Sequence, residues 1–344
     1  MNEISETPPE RPPRRRWTWL LSGFVLMLIA AATVSGGAIV MLHRAYSDPG
    51  PLMAETRLIV PAGVTGRDIA RALTENGVVS DARLVQISLR TFAPDRPMRA
   101  GEYMFSPGIS LRDAIAKLQD GDVVVRRITF AEGLTTRQML AELSQAEGLT
   151  GPVPESDEIG EGTLLPETYH YSWGDSRNGV VARMQVAMTE TVARLWAQRA
   201  EGLPLNSPEE AVVLASIIER ETAVPEERGK VAGVFINRLN RGMRLQSDPT
   251  VAYGLRTENG EFTGRLLFRH LETDHPYNTY TRDGLPPAPI ANPGEGSIAA
   301  ALNPEDTRYF YFVADGTGGH AFARTLAEHN RNVAKWRRIQ RQNR

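Results

Sequence analysis

The sequence predicts an α+β protein carried on one N-terminal transmembrane helix, with a small α+β region ahead of a larger C-terminal α+β domain. Three observations predict it. An uncharged apolar run fills residues 17–42, a glycine-led pattern recurs three times between residues 56 and 150, and a sharply marked helix start at Ser207 leads into a long apolar stretch.

The apolar run, WTWLLSGFVLMLIAAATVSGGAIVML from Trp17 to Leu42, exceeds the roughly 20 residues that a bilayer-spanning helix needs. Arg11, Arg14, Arg15 and Arg16 precede it, whereas Arg44 and then Asp48 follow it. The positive-inside rule leaves residues 1–16 in the cytoplasm and the rest outside, with Trp17 and Trp19 at the interface. A cleaved signal peptide is the competing reading, favoured by Ala30–Ala32 and opposed by the length of the run. Both readings export the body of the chain. The tail is rich in Pro, Glu and Arg and is expected to be disordered, and residues 43–55 read as a linker.

The 344 residues suit two or three folded units. A net charge near −2 lacks the basic excess of a nucleic-acid binder, and the absence of cysteine excludes disulfides and thiolate metal sites. The six histidines show no ligand spacing, so neither a metal nor a cofactor is expected.

The repeated pattern is Gly, an aliphatic, Ser or Thr, any residue, Arg, Asp or Gln, then an apolar stripe ending in Leu. It runs Gly63–Leu73, Gly108–Leu118 and Gly133–Leu143. Thr65, Ser110 and Thr135 are predicted N-caps, with Asp68, Asp113 and Gln138 placed for a capping-box exchange. Each glycine permits a sharp turn, and strand-like runs precede them at 56–60, 103–105 and 123–130. Such strand–turn–helix units resemble LysM modules, which bind glycans; they are also a common packing unit without a ligand. The stretch GPVPESDEIGEGT at 151–163 marks a predicted boundary, giving an α+β region at 56–150 and a domain at 151–344.

Within that domain, residues 177–200 form a predicted amphipathic helix. Ser207 as N-cap, Pro208 at the first helical position and Glu210 three residues after the cap open the next one. AVVLASIIERE follows, apolar on nearly every side and therefore buried. Glu219 comes directly after that run. A carboxyl in apolar surroundings is disfavoured in its charged form, and a carboxyl protonated near neutral pH is what glycosidic cleavage requires. The alternative is an ion pair with Arg220 or Arg228. Glu221 is rotated by roughly 200° at 3.6 residues per turn, faces away from Glu219, and reads as support for the fold or the following turn. A further helix is predicted over 227–241, a strand over 308–315 and a basic helix over 323–340. Between them lie polar, proline-stiffened loops carrying Gln246, Ser247, Asp248, Tyr277, Asn278 and Tyr280, residue types that a sugar groove uses for CH surfaces and hydroxyls and that a purely structural loop also tolerates.

In order, EGTLLPETY, LASIIERETAV, FINRL, MRLQSDPTVAYG, YNTYTRDGLPPAPIANPG and YFYFVADGTGGHAF resemble the endolytic murein transglycosylase family, the YceG-like proteins. The likeness extends from the membrane helix to His320. It implies a LysM-like domain, then a catalytic domain at 151–344 that makes a lytic cut of the β-1,4 bond between N-acetylmuramic acid and N-acetylglucosamine, leaving a 1,6-anhydro end. It also implies the bacterial inner membrane with a periplasmic body, peptidoglycan strands as substrate, and peptidoglycan synthases (penicillin-binding proteins) as partners. Glu219 is the residue on which the resemblance places the acid/base, with Gln246, Ser247, Asp248, Tyr277, Asn278 and Tyr280 as candidate substrate contacts. Ala288 departs from the Gly usual after the two prolines, and LPETY from FPDTY. A hydrolase, with Asp248 as second carboxylate, and a non-catalytic glycan-binding scaffold remain as alternatives.

Overall fold

The computed structural model describes residues 15–94, 96–256, 260 and 262–342. The tail expected to be disordered lies almost wholly outside the described residues, as does the side chain of Trp17. The described chain divides into two compact units, Met1–Val124 and Val125–Arg344.

The first unit begins with helix α1, Arg15–Ser47, whose stretch Trp19–Ser47 is long and apolar enough to cross a membrane. Its apolar side chains, from Leu20 to Met41, are exposed. The helix does not stop at residue 42. It continues to Ser47, where Tyr46 stacks on Phe92 at 4.5 Å. Residues expected to form a linker are therefore part of the fold: Leu52 is buried, and Gly50 N–H donates to Ile109 O at 3.1 Å. Strand β1 (Thr56–Val60), helices α2 (Gly66–Glu75) and α3 (Ala82–Phe92), strand β2 (Gly101–Phe105) and helix α4 (Leu111–Asp120) complete the unit. β1 and β2 pair antiparallel, Thr56 opposite Phe105 and Val60 opposite Gly101. Leu73, Tyr103, Phe105 and Leu118 fill the core beneath them.

The second unit opens with β3 (Val125–Thr129), α5 (Thr136–Ser144), the short α6 (Ser156–Ile159), β4 (Thr168–Ser172) and α7 (Arg177–Ala197). Then come α8 (Pro208–Glu221), a single 3-10 turn at Pro225–Glu227, α9 (Arg228–Asn240), α10 (Asp248–Gly254), α11 (Phe268–Leu271) and α12 (Glu295–Leu302). A hairpin of β5 (Tyr311–Ala314) and β6 (His320–Ala323) precedes α13, Leu326–Gln342. The expected strand at 308–315 is thus trimmed, and Ala323 belongs to a strand, not to the last helix.

All three glycine-led turns form as the pattern predicts. Gly63, Gly108 and Gly133 take φ of 81°, 69° and 80°, the left-handed region that glycine enters without a Cβ clash. Thr65 and Thr135 make full capping boxes, and Ser110 accepts from Asp113 N–H. The copies do not share one unit, however. Strands of the first two pair with each other, whereas β3 pairs with β4, Thr129 opposite Thr168. The boundary accordingly falls at Val124, not near residue 150, and the acidic Gly/Pro stretch at 151–163 is a turn inside the second unit.

Asn292 ties this unit together. Fully buried, it accepts from Leu164 N–H at 3.0 Å and donates to Thr136 Oγ1 at 3.0 Å. Its backbone N–H donates to Leu134 O, and its carbonyl accepts from Gly133 N–H. The third turn, the 164 segment and the proline-rich loop are held by one amide. Asn292→Ala leaves several buried groups unpaired, at about 1–3 kcal/mol each; we expect a loss of at least ~2 kcal/mol in urea unfolding of the detergent-solubilised chain, and an unchanged midpoint would refute this role.

Candidate active site

α8 ends on two carboxylates that meet different surroundings. Ser207 caps its start by accepting from Glu210 N–H, and Glu210 reaches back to Asn206 N–H instead of completing a box with Ser207. Every residue from Ala211 to Ile218 is buried, as an all-round apolar helix requires. At the far end, the side chain of Glu219 is 5% exposed. Its Oε1 lies 3.2 Å from Arg228 Nη2, and its Oε2 accepts from Gly294 N–H at 2.9 Å. Arg228 Nη2 also bonds Glu132 Oε2 at 2.6 Å, while Arg220 donates to Gly133 O. Each oxygen of Glu219 accepts one bond from the fold. Through these contacts Glu219 joins α8, α9, the start of α12 and the third glycine turn, a structural use of the residue on which the resemblance places the acid/base.

Glu221, on the opposite side of the last turn, opens into a cavity of about 440 Å³. That volume falls in the range of small-ligand sites, about 300–1,000 Å³. Gln246, Asp248, Tyr280, Arg238, Tyr311 and His320 contribute to its walls. Burial pushes the Glu221 carboxyl up to about 7; the Ser247 hydroxyl opposes the shift, Asp248 adds to it, and Arg238 opposes it. Ser247 Oγ donates to Glu221 Oε1 at 2.5 Å. Desolvation penalises the charged form, and a second carboxylate penalises it again. The result is a group that holds a proton near neutrality while part of its surface stays accessible.

The surrounding loops are stiffly built. Gln246 has φ of 51°, a left-handed conformation uncommon outside glycine and held here by its N–H bond to Thr279 O. Ser247 N–H donates to Thr279 Oγ1 at 3.0 Å, so the hydroxyl that meets Glu221 is itself positioned. Tyr280 OH donates to Asp248 Oδ1 at 2.7 Å, and burial, reinforced by Asp248, raises the phenol so that it stays protonated. Arg238 is buried, with Nε on Phe310 O and Nη1 on Leu245 O, both at 2.7 Å.

Residues 58–335 match the YceG-like family. The chain belongs to that family. An endolytic murein transglycosylase of Bacillus subtilis is 30% identical over 80% of this chain and 83% of its own length, and one of Streptococcus pneumoniae is 26% identical over 92% of this chain and 65% of its own. The crystal structure of a YceG-like protein from Listeria monocytogenes aligns with a TM-score of 0.51 at 29% identity, covering 81% of this chain and 99% of that one.

In this YceG-like chain the six other candidate residues separate. Gln246 and Asp248 reach the Glu221 cavity with Tyr280, and Ser247 bonds Glu221 from behind. Asn278 is buried and spends its amide on His270 O, Leu271 O and Thr273 O, so it shapes the loop and does not face a ligand. Tyr277 lines a different cavity, together with Ala288. Sequence reasoning missed Arg238, Tyr311, His320 and His329, which also line the Glu221 cavity. It also passed over a signal for Glu221, which shares a helical stripe with Leu214, Ile217 and Ile218 at spacings of 7, 4 and 3, all 0% exposed. Glu219 stands instead over the small Ala215 and Ser216.

Replacing each carboxylate separates the two roles. Glu221→Gln should lower turnover about 10²–10⁴-fold, the usual worth of a general acid or base, without lowering the melting temperature. Glu219→Gln should lower the melting temperature and keep turnover within severalfold. Glycan-release assays paired with thermal melts decide it, and the opposite pattern would return the acid/base role to Glu219.

Proposed function

We propose that this chain is a membrane-anchored lytic transglycosylase of murein in which Glu221 is the acid and then the base. The observation that carries the reading is one carboxyl held up to about 7 in an open polar cavity, in a chain whose curated relatives bear the name endolytic murein transglycosylase. A sugar strand lies with the β-1,4 oxygen between N-acetylmuramic acid and N-acetylglucosamine against Glu221. Its proton passes to that oxygen as the C1–O bond breaks. The carboxylate then takes the proton of the C6 hydroxyl as that oxygen closes on C1. The proton is returned, no water is consumed, and a 1,6-anhydro end results. Asp248, oriented by Tyr280, supplies a negative charge for the cation-like transition state, and Gln246 offers an amide to the strand.

The α1 helix serves as the single-pass anchor. Arginines on its N-terminal flank favour an inside N-terminus and hence a periplasmic body on the inner membrane. The first unit, whose first two strands frame two helices, acts as a LysM-like glycan-holding module. Cutting nascent strands ends their growth and brings the enzyme beside the peptidoglycan synthases.

Asp248 in the same cavity is the one feature favouring hydrolysis, since it stands where a second carboxylate would activate water. Mass spectrometry of digested sacculi separates the two: we expect anhydro ends, and reducing ends alone would replace the lytic reading with the hydrolytic one. Activity should also fall as pH rises through about 7, where Glu221 loses the proton it must donate. Ser247→Ala removes a bond that favours the charged form, so the alkaline limb should move to higher pH. A limb unmoved by this change would mean that another group sets it.

A further inference from the structure

A second cavity, of about 310 Å³, lies in the same unit and has no part in the chemistry above. Its walls carry both signs of charge: Arg137 and Arg256, Asp157 and Glu161. Between them stand Tyr253 and Tyr277, ring centroids 4.8 Å apart, with the Arg256 guanidinium 3.6 Å over the Tyr253 ring. Burial raises both phenols, so each remains a neutral hydrogen-bond donor.

α10 connects the two sites. Asp248 at its first position lines the Glu221 cavity, while Tyr253, near its end, and Arg256, just beyond it, line the second. A smaller depression shares Tyr253 and Arg256 with the second cavity and extends it to Pro249, next to Asp248. Seven residues of helix span roughly 10 Å. A ligand reaching from Glu221 to Arg256 is therefore longer than a single sugar.

The wall chemistry distinguishes among parts of such a ligand. A bare murein strand brings hydroxyls, acetamides and one lactyl carboxylate on alternate sugars but no amine, so it gives the Asp157 and Glu161 side of this cavity nothing to pair with. The short peptide carried on alternate sugars of a peptidoglycan strand brings carboxylates, an amine and aliphatic stems together. We propose that this second cavity binds the peptide substituent of the strand being cut. Arg256 and Arg137 take its carboxylates, Asp157 takes its amine, and the paired tyrosines take its aliphatic portion. The inference rests on the murein reading of the Glu221 site and adds a requirement that this reading does not contain.

The test compares peptide-bearing strands with strands stripped of peptide by an amidase, using the full-length chain in detergent. Arg256→Gln should raise KM for peptide-bearing strands about tenfold more than for stripped ones, the loss of one charge-assisted contact. Asp157→Asn, at an exposed position that does not threaten folding, should shift the same ratio in the same direction. Equal changes on both substrates, or none, would overturn the peptide assignment while leaving the Glu221 reading intact. Failure of the wild-type chain to cut either substrate would sink the Glu221 reading instead.

Discussion

The last turn of α8 is the constraint on which the second unit depends. A helix rotates its side chains by about 100° per residue, so carboxylates two positions apart cannot share an environment. The fold uses that separation. Glu219 is drawn into a lattice of Arg228, Glu132 and the Gly294 N–H that fixes the helix end. Glu221 is turned toward the cavity. Breaking a buried pair of the first kind costs roughly 3–5 kcal/mol because a charge is left without its partner. The clasp therefore holds the backbone of the turn that also carries Glu221.

The loops opposite follow the same logic. Proline alone does not order the 277–294 stretch; buried amides do. Asn278 gathers three carbonyls, Asn292 joins three segments, and Ser216 on α8 accepts from Ile290 N–H at 3.0 Å. Thr279, secured between them, holds Gln246 in its left-handed conformation and Ser247 against Glu221. Polar residues on a stiff loop resemble sugar-binding groups in a sequence, yet Asn278 and Asn292 bind the protein's own backbone. Composition cannot separate these uses, because an amide satisfies a buried carbonyl and a sugar hydroxyl with the same atoms.

What was legible in the sequence is what local physics decides. The N-caps at Thr65, Ser110, Thr135 and Ser207, the positive φ of the three turn glycines and the burial of 211–218 all depend on neighbours within a few residues. The division of the chain was not legible, because it depends on which strand β3 pairs with, and β4 lies some forty residues downstream. Helices α3 and α12 carry weaker start signals than α8; α12 opens at Gly294 with no side-chain cap. The different surroundings of Glu219 and Glu221 were hidden for a similar reason. Adjacency to an apolar run suggests burial without a partner; the ion pair with Arg228, which the sequence left open as the alternative, forms, and the Gly294 N–H reaches Glu219 from far along the chain. The stripe of Leu214, Ile217 and Ile218 pointed to Glu221, and reading the helix by face instead of by adjacency finds it.

Holding Glu221 near neutrality has an energetic consequence for the fold. Raising a carboxyl from its ordinary 4.5 to about 7 corresponds to about 3 kcal/mol of penalty on the charged form. Between those values the folded chain holds a proton that the unfolded chain has released, so this group's contribution to stability declines as pH rises through that window. Burying a single Leu or Ile contributes about 1.5–3 kcal/mol, and α8 buries Leu214, Ile217 and Ile218 directly beneath the carboxyl. The helix that carries Glu221 into its desolvated position thus also buries the apolar area that offsets the cost. A polar replacement at Ile217 would weaken that offset, whereas Ser247 and Arg238 adjust where the proton sits. This separates the groups that set where the proton sits from those that keep the helix in place.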